Sequence, residues 1–268
     1  MNSPARPATE TFPPGSFTPD PRPAPIPSMV AAQSALELKL LLRNGEQLLL
    51  TMFIPVTLLI GLCLVPLSTD AGDTAAARAH TFLPVILTVA IMSTAFTGQA
   101  IAVGFDRRYG ALKRLGATAI PRWGVIAGKS IAVVIVVAAQ MVLLSAIAAV
   151  FGWRPNAAGI GFAALAIVLG TVMFAALGLA LGGTGKAEVV LAVANLIWFV
   201  LAGFASMVVL GSRVPDTLRA VASGTPSGAL ADALQKAGDG QFAPTAFVLL
   251  VLWAIAGTAV AVKCFRFD

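Results

Sequence analysis

Six apolar runs dominate this 268-residue chain, at about 48–67, 81–104, 124–151, 158–181, 188–210 and 243–263. Each is near the ~20 residues an α-helix needs to cross a bilayer core. None carries a charged residue near its centre. Inside lipid the backbone must satisfy its own donors and acceptors, which a helix does within one segment. The expected fold is therefore an all-α integral membrane protein with six transmembrane helices. Composition agrees: 58% of residues are hydrophobic and only 11% charged, about half the charged share of a soluble domain.

The connections carry the remaining information. With six spans, both termini fall on one side, and thirteen of the eighteen Lys and Arg lie there. The other side holds Arg78, Arg154, Arg213, Arg219 and Lys236. This asymmetry places both termini in the cytoplasm of a cell membrane, multi-pass. The net charge of +6 sits in short segments between apolar runs, so it orients the chain in a bilayer and does not call for nucleic acid. Cys63 and Cys264 are expected near opposite faces, as packing residues without a disulfide.

Residues 1–28 contain nine of the seventeen prolines and read as a disordered cytoplasmic tail. Residues 29–47 read as an amphipathic helix on the membrane surface, with Lys39, Arg43 and Glu46 at i, i+4 and i+7 as a narrow wet stripe. The remainder, 48–268, is one six-helix transmembrane domain. Pro55 and Pro84 should bend their helices. Gly170, Gly178 and Gly182 share a face of the fourth span, the pattern of close helix packing.

On the outer side, 211–242 contains two short amphipathic helix candidates, too short to span. One starts at Pro215 and runs to about Ala222. The other has Thr225 as cap, Pro226 at its first position and Gly238 after its end. Together they form a hairpin in, or dipping into, the outer interface before the last span.

Catalytic constellations are missing from the pattern. Gly124–Ser130 and Gly182–Ala187 imitate a phosphate loop, but the first is one residue short between its glycines. The second has no hydroxyl after its lysine, and neither follows a strand. His80 is the only histidine and reads as solvated, with no metal set around it. The cytoplasmic acids Glu10, Asp20, Glu37, Glu46, Asp106, Glu188 and Asp268 read as scattered and unpaired, and no span holds an ionisable group deep in lipid. The chain is thus expected to be no enzyme, with no cofactor of its own. Gln99, Gln140 and Asn195 are the costly polar groups within spans; each suits either an interhelical hydrogen bond or contact with amphiphilic cargo.

The most charged connection is 105–123, FDRRYGALKRLGATAIPRW, with six of the thirty charged side chains. Asp106 is placed to cap a helix from Arg107 to about Leu115, broken by Gly116 and ended before Pro121. Tyr109, Leu112, Lys113 and Gly116 would share one face, bordered by Arg108 and Leu115. Such a mixed helix fits a groove on another protein, but composition alone favours a cationic anchor on lipid headgroups.

This loop resembles that of type-2 ABC exporter permeases, particularly the drug- and antibiotic-resistance branch typified by the daunorubicin permease. That family tends to read Asp-Arg-Glu-x-Gly-Thr-Leu-Lys-Arg-Leu, then a threonine-proline turn and an arginine. Here the chain reads Asp106-Arg107-Arg108-Tyr109-Gly110-Ala111-Leu112-Lys113-Arg114-Leu115, with Pro121-Arg122 following. Ala194-Asn195-Leu196, and Val214-Pro215-Asp216-Thr217-Leu218-Arg219 after it, resemble the family's fifth span and the segment that follows. The likeness covers about residues 29–268.

The resemblance implies a coupling helix seated in a separate ABC ATPase, which binds ATP and magnesium, and a second permease subunit, same or homologous. Arg107, Arg108, Gly110, Leu112, Lys113, Arg114, Leu115 and Pro121 become coupling residues, and Pro215, Leu218 and Pro226 an external gate. The implied activity is multidrug efflux of an amphiphilic drug-like, antibiotic or lipid-like cargo. Export of a lipid-linked glycan is the alternative within transport; a membrane-embedded lipid-modifying enzyme or a structural subunit is the alternative outside it. Arg108 departs from the family's glutamate, which implies an acidic groove on the partner.

Overall fold

The computed structural model describes residues 23–65, 74–209 and 214–264. The described residues are helical throughout their regular structure, with no strand among them. Most of the proline-rich tail lies outside the described residues.

Helix α1, Ile26–Arg43, starts on Pro27, whose missing N–H costs nothing in a first turn. It ends at Asn44, where φ −83° and ψ 71° leave the helical region, and α2, Gly45–Leu64, follows at once. The break thus falls three residues earlier than the expected boundary at 47. Glu46 consequently belongs to α2, not to a stripe with Lys39 and Arg43, and its side chain lies outside the described residues. Lys39 and Arg43 remain exposed on α1. Helix α1 turns Gln33 and Ser34 inward and leaves Leu36, Leu40 and Leu42 outward, the reverse of a helix on a water-soluble core.

Helix α3, Ala75–Ile91, begins at Thr74, whose hydroxyl accepts the Ala77 N–H at 3.2 Å. It continues through a π-helical segment, Met92–Gly98, into α4, Gln99–Arg108. This single 34-residue helix is the most buried in the bundle and exceeds the expected span 81–104 at both ends. Its N-terminal end carries Arg78, whose Nε and Nη2 donate to the Cys63 carbonyl at 3.0 and 2.8 Å and so tie α3 to α2. Cys63 itself is a buried free thiol; the Cys264 side chain lies outside the described residues.

A short α5, Ala111–Gly116, precedes the long helices α6 (Arg122–Val150), α7 (Ala157–Gly182) and α8 (Ala187–Val209). The helical hairpin follows as α9 (Asp216–Gly224) and α10 (Pro226–Gly238), and α11 (Pro244–Cys264) closes the bundle. Five helices are long and apolar enough to cross a membrane among the described residues; α2 is apolar over the shorter stretch Thr51–Leu64. Their outer faces suit lipid and not water: Val142, Val150, Leu196, Phe199 and Val262 are all more than 60% exposed.

The core forms where glycines let backbones approach. A Cβ on Gly178 of α7 would lie 2.6 Å from the Phe96 carbonyl oxygen, and one on Gly182 would lie 2.7 Å from that of Ala100. These two glycines seat α7 directly on the π-helical segment and α4. Gly170 faces Leu230 of α10 in the same row. Next to this seam Phe174 is wholly buried, its ring tilted against Phe96 at 6.4 Å.

The hairpin is more deeply built in than an interface-lying segment requires. Thr225 caps α10 by accepting the Gly228 N–H at 3.1 Å, and the Ser227 hydroxyl donates to the Leu201 carbonyl of α8 at 2.7 Å. Ala229, Leu230, Ala231 and Leu234 are buried among α3, α7, α8 and α11. Helix α9 stays exposed, tied to α11 by the Trp253 indole, which donates to the Gly224 carbonyl at 3.1 Å.

Candidate functional site

The charged connection is assembled from the ends of α4 and α6, with α5 between them. Helix α4 continues past Asp106 to Arg108, so Asp106 is no cap. At Gly110 the backbone turns left-handed, φ 69°, a conformation that disfavours any side chain, and α5 starts only at Ala111. The expected helix from Arg107 to Leu115 is therefore two pieces. Its expected common face is lost as well: Tyr109 is 66% exposed, whereas Leu112 is buried. Leu112 sits among Val103, Val125, Leu179, Ala180 and Ala261, with Leu115 and Ile120 beside it. It ties α5 into an apolar cluster drawn from α4, α6, α7 and α11. Lys113 and Arg114 are left outside, with Arg108, Tyr109 and Trp123. The returning limb of the loop closes with the Thr118 hydroxyl donating to the Leu115 carbonyl at 2.6 Å, then Pro121 starting α6.

Two arginines at the end of α4 are used inside the chain. The Arg107 guanidinium donates to the Gly183 carbonyl at 2.7 Å and, more weakly, to that of Gly185 at 3.4 Å. The turn Gly182–Ala187, one of the two phosphate-loop mimics, thus offers carbonyls to a cation, the opposite polarity from a phosphate nest. Arg108 pairs with Glu188 at the start of α8. Both side chains are more than half exposed, so the acid opposite Arg108 within reach is the chain's own.

The other mimic, Gly124–Ser130, lies wholly within α6. Its Gly128 is a packing position: a Cβ there would sit 2.6 Å from Cγ of Gln33 on α1. The next residue, Lys129, is 4% exposed and holds two acids. Its Nζ lies 2.8 Å from Asp106 Oδ2 and 2.9 Å from Glu37 Oε1. The Gln33 amide donates to the same Glu37 carboxylate at 2.8 Å, and the Gln99 amide to the Lys129 carbonyl at 3.1 Å. Glu37 and Asp106 are therefore paired, which corrects the reading of scattered acids. Sequence reasoning missed this triad because its members lie 23 and 92 positions from Lys129. A lysine inside the first turns of an apolar run was the available signal.

The intramembrane amides separate into two kinds. Gln99 joins α4 to α6, as above. Gln140 is buried, accepting from the Thr94 hydroxyl at 2.9 Å and donating to the Thr51 carbonyl at 3.4 Å, which joins α6 to the π-helical segment and α2. Asn195 is exposed and donates only along its own helix, to the Leu191 carbonyl at 2.9 Å. Of the residues assigned to an external gate, Pro215 and Leu218 are exposed at the start of α9 and on it, and Pro226 is buried at the start of α10.

An apolar cavity of about 380 Å³ opens between α3, α6, α7 and α10. Leu83, Leu87, Met141, Ile167 and Leu234 line it, with His80 and Asn156 among the few polar groups. His80 is partly exposed and lies 3.4 Å from Asp239. None of Gln99, Gln140 and Asn195 lines this cavity. No cluster of His, Cys, Asp and Glu that could hold a metal ion occurs among the described residues.

No curated protein matches the chain. A family model, that of the ABC-2 family transporter proteins, matches residues 65–263. That is most of the chain, from the end of α2 to α11, and it includes the loop, the glycine seam and the α9–α10 hairpin. The chain therefore belongs to the ABC-2 transporter family, as a multi-pass membrane permease subunit of an ABC transporter that works with an ABC ATPase.

Proposed function

We propose that the chain is the permease of an ABC exporter of the drug- and antibiotic-resistance type, and that the loop 105–123 is where the ATPase delivers its work. One observation carries the reading: Leu112 is buried in an apolar cluster that draws residues from α4, α6, α7 and α11, while Lys113, Arg114, Tyr109 and Trp123 stand outside. A docked partner would grip the exposed side, and the Leu112 anchor would pass the displacement into α4, α6, α7 and α11. A headgroup anchor needs no such inward fixation.

In this reading α2 is the first of six spans, α1 lies along the inner membrane surface, and both termini are cytoplasmic. The outer hairpin is re-entrant, because α10 is buried among spanning helices. ATP and magnesium are bound by the partner, whose closure moves the loop; this chain contributes no catalytic group. A second permease subunit covers the exposed apolar face of α8, where Asn195 stands beside Leu196 and Phe199. An amide facing hydrocarbon leaves donors and acceptors unpaired, which a facing helix relieves. The outer cavity favours an amphiphilic, drug-like or lipid-like cargo over a bulky glycan, since its lining is mostly apolar.

The test is co-purification with an ABC ATPase, then reconstitution of the pair into vesicles with ATP-driven cargo movement as readout. Charge reversal at Lys113 and Arg114 should abolish cargo-stimulated hydrolysis and leave the permease in the membrane. A folded variant that keeps full stimulation would sink the assignment.

A further inference from the structure

The Lys129 triad bridges three helices at the roots of this loop. Asp106 stands on α4, two residues before its end, and Lys129 on α6, about two turns after its start. These are the two stems of the loop. Glu37 stands on α1, which precedes the first apolar helix and has no part in the loop. One ammonium group therefore holds both stems and a helix remote in sequence, at 2.8 Å to Asp106 and 2.9–3.0 Å to the two Glu37 oxygens.

The surroundings make this contact stiff. Lys129 is almost wholly removed from solvent, and Glu37 is 12% exposed. Charge-assisted hydrogen bonds in such surroundings are short and directional. Gln33 orients Glu37, and Gln99 holds the Lys129 backbone. Gly128 brings α1 within direct contact, since a Cβ there would lie 3.1 Å from that of Gln33. Simple anchoring of α1 would be served by its leucines in the membrane surface; a buried ion triad is an expensive way to achieve that.

We infer that Lys129 is a positioning residue for energy transfer, holding α1 and both stems of the loop as one body, so that work entering at α5 moves α1 together with α6. The inference rests on the loop being the coupling site. Its chemistry is confined to this chain, and it makes α1 a moving part of the transporter, not a passive float.

The test uses the full chain with its ATPase in vesicles, in a Cys63→Ala/Cys264→Ala background, and reads cargo moved per ATP hydrolysed. Glu37→Gln removes one charge and keeps the shape; the ratio should fall roughly tenfold, within the range of coupling between sites. Gln33→Cys with Gly128→Cys puts two thiols where Cβ atoms are near disulfide spacing. Because Gln33 orients Glu37, the reduced double-cysteine protein should be partly uncoupled, and oxidation should raise its ratio. Oxidation should also restore the Glu37→Gln variant to within about twofold of the protein without cysteines, reversibly on reduction. The inference is overturned if Glu37→Gln keeps the full ratio, if the bridge alone stops transport, or if the bridged Glu37→Gln protein stays uncoupled. Should Glu37→Gln fail to fold, the bridge in the unmodified protein still decides, because a sliding α1 would be arrested by it. Gly110→Pro serves as the separate control: if it remains coupled, the loop assignment fails, whatever the bridge shows.

Discussion

The two ends of this bundle are held by different physics. At the end that carries the loop, contacts are ionic and directional: Lys129 with Glu37 and Asp106, Arg107 with two carbonyls, Arg108 with Glu188. At the opposite end, beside the Arg78 and Ser227 hydrogen bonds, the closest contacts are steric. Gly159 of α7 approaches the Ala237 carbonyl of α10, Gly228 approaches the Ala222 carbonyl, and Gly170 takes the Leu230 side chain. A steric contact between backbones has one register and no reach. A buried ionic contact made by long side chains reaches several helices at once and can tie them into one body. On the proposed coupling role, the end that receives work is thus the one tied into a single moving body, and the end around the cavity is the one that is fitted.

The comparison breaks most visibly at Lys129. Lys129→Met would leave two carboxylates facing each other without their cation, and losing one partner of a buried ion pair costs about 3–5 kcal/mol. Asp106 is one-third exposed, so the lower end of that range is expected, read as a drop in thermal unfolding temperature in detergent. Neutralising all three groups, as Glu37→Gln/Lys129→Met/Asp106→Asn, should recover most of the loss, because an apolar replacement of a buried triad is often near neutral. A triple variant as unstable as the single one would show that the ionic end is held by shape after all.

At the fitted end and along its seam the expected costs are smaller and depend on what gives way. Gly178→Ala presses a methyl group on the Phe96 carbonyl oxygen, backbone that cannot swing aside, and should cost about 2 kcal/mol. Gly170→Ala meets only the end of Leu230, a flexible side chain, and should cost less than about 1 kcal/mol. Equal losses, measured by unfolding in the same detergent, would remove the distinction between a backbone contact and a side-chain contact in this seam.

How much of this was legible in the sequence follows from the range of each interaction. Helices α6, α7, α8 and α11 begin and end within two residues of the apolar runs that announce them, because in lipid the apolar length itself is the signal. Thr225, Pro226 and the hairpin were legible because capping is local. The α1 boundary was not, since an amphipathic stripe at 39, 43 and 46 continues in register across the break at Asn44. Nor was the split at Gly110: its left-handed turn gives the loop two pieces where composition reads as one helix. Glu37, Asp106 and Lys129 are ordinary flanking charges one by one, and only the packing of α1 on α6 brings them together. Gly128 carried that information, within a phosphate-loop mimic where its purpose was masked.

The weakest contact in the ionic end gives the finest test of what the partner reads. Arg108 and Glu188 are 51% and 62% exposed, so the pair should contribute less than about 1 kcal/mol and fade with salt. Arg108→Glu should therefore leave the unfolding temperature nearly unmoved while placing two acids together at the α4–α8 junction. Its effect on cargo-stimulated ATPase activity then has two separable sources. If Arg108 acts by holding Glu188, the exchange Arg108→Glu/Glu188→Arg rebuilds the pair in reverse and restores stimulation. If the ATPase presents an acidic groove to Arg108, as the departure from glutamate at this position implies, the exchange leaves stimulation impaired because the charge shown at position 108 is still reversed. Restoration by the exchange would place Arg108 with Lys129 among the bonds internal to the moving body. Continued impairment would place it with Lys113 and Arg114 on the surface that the motor touches.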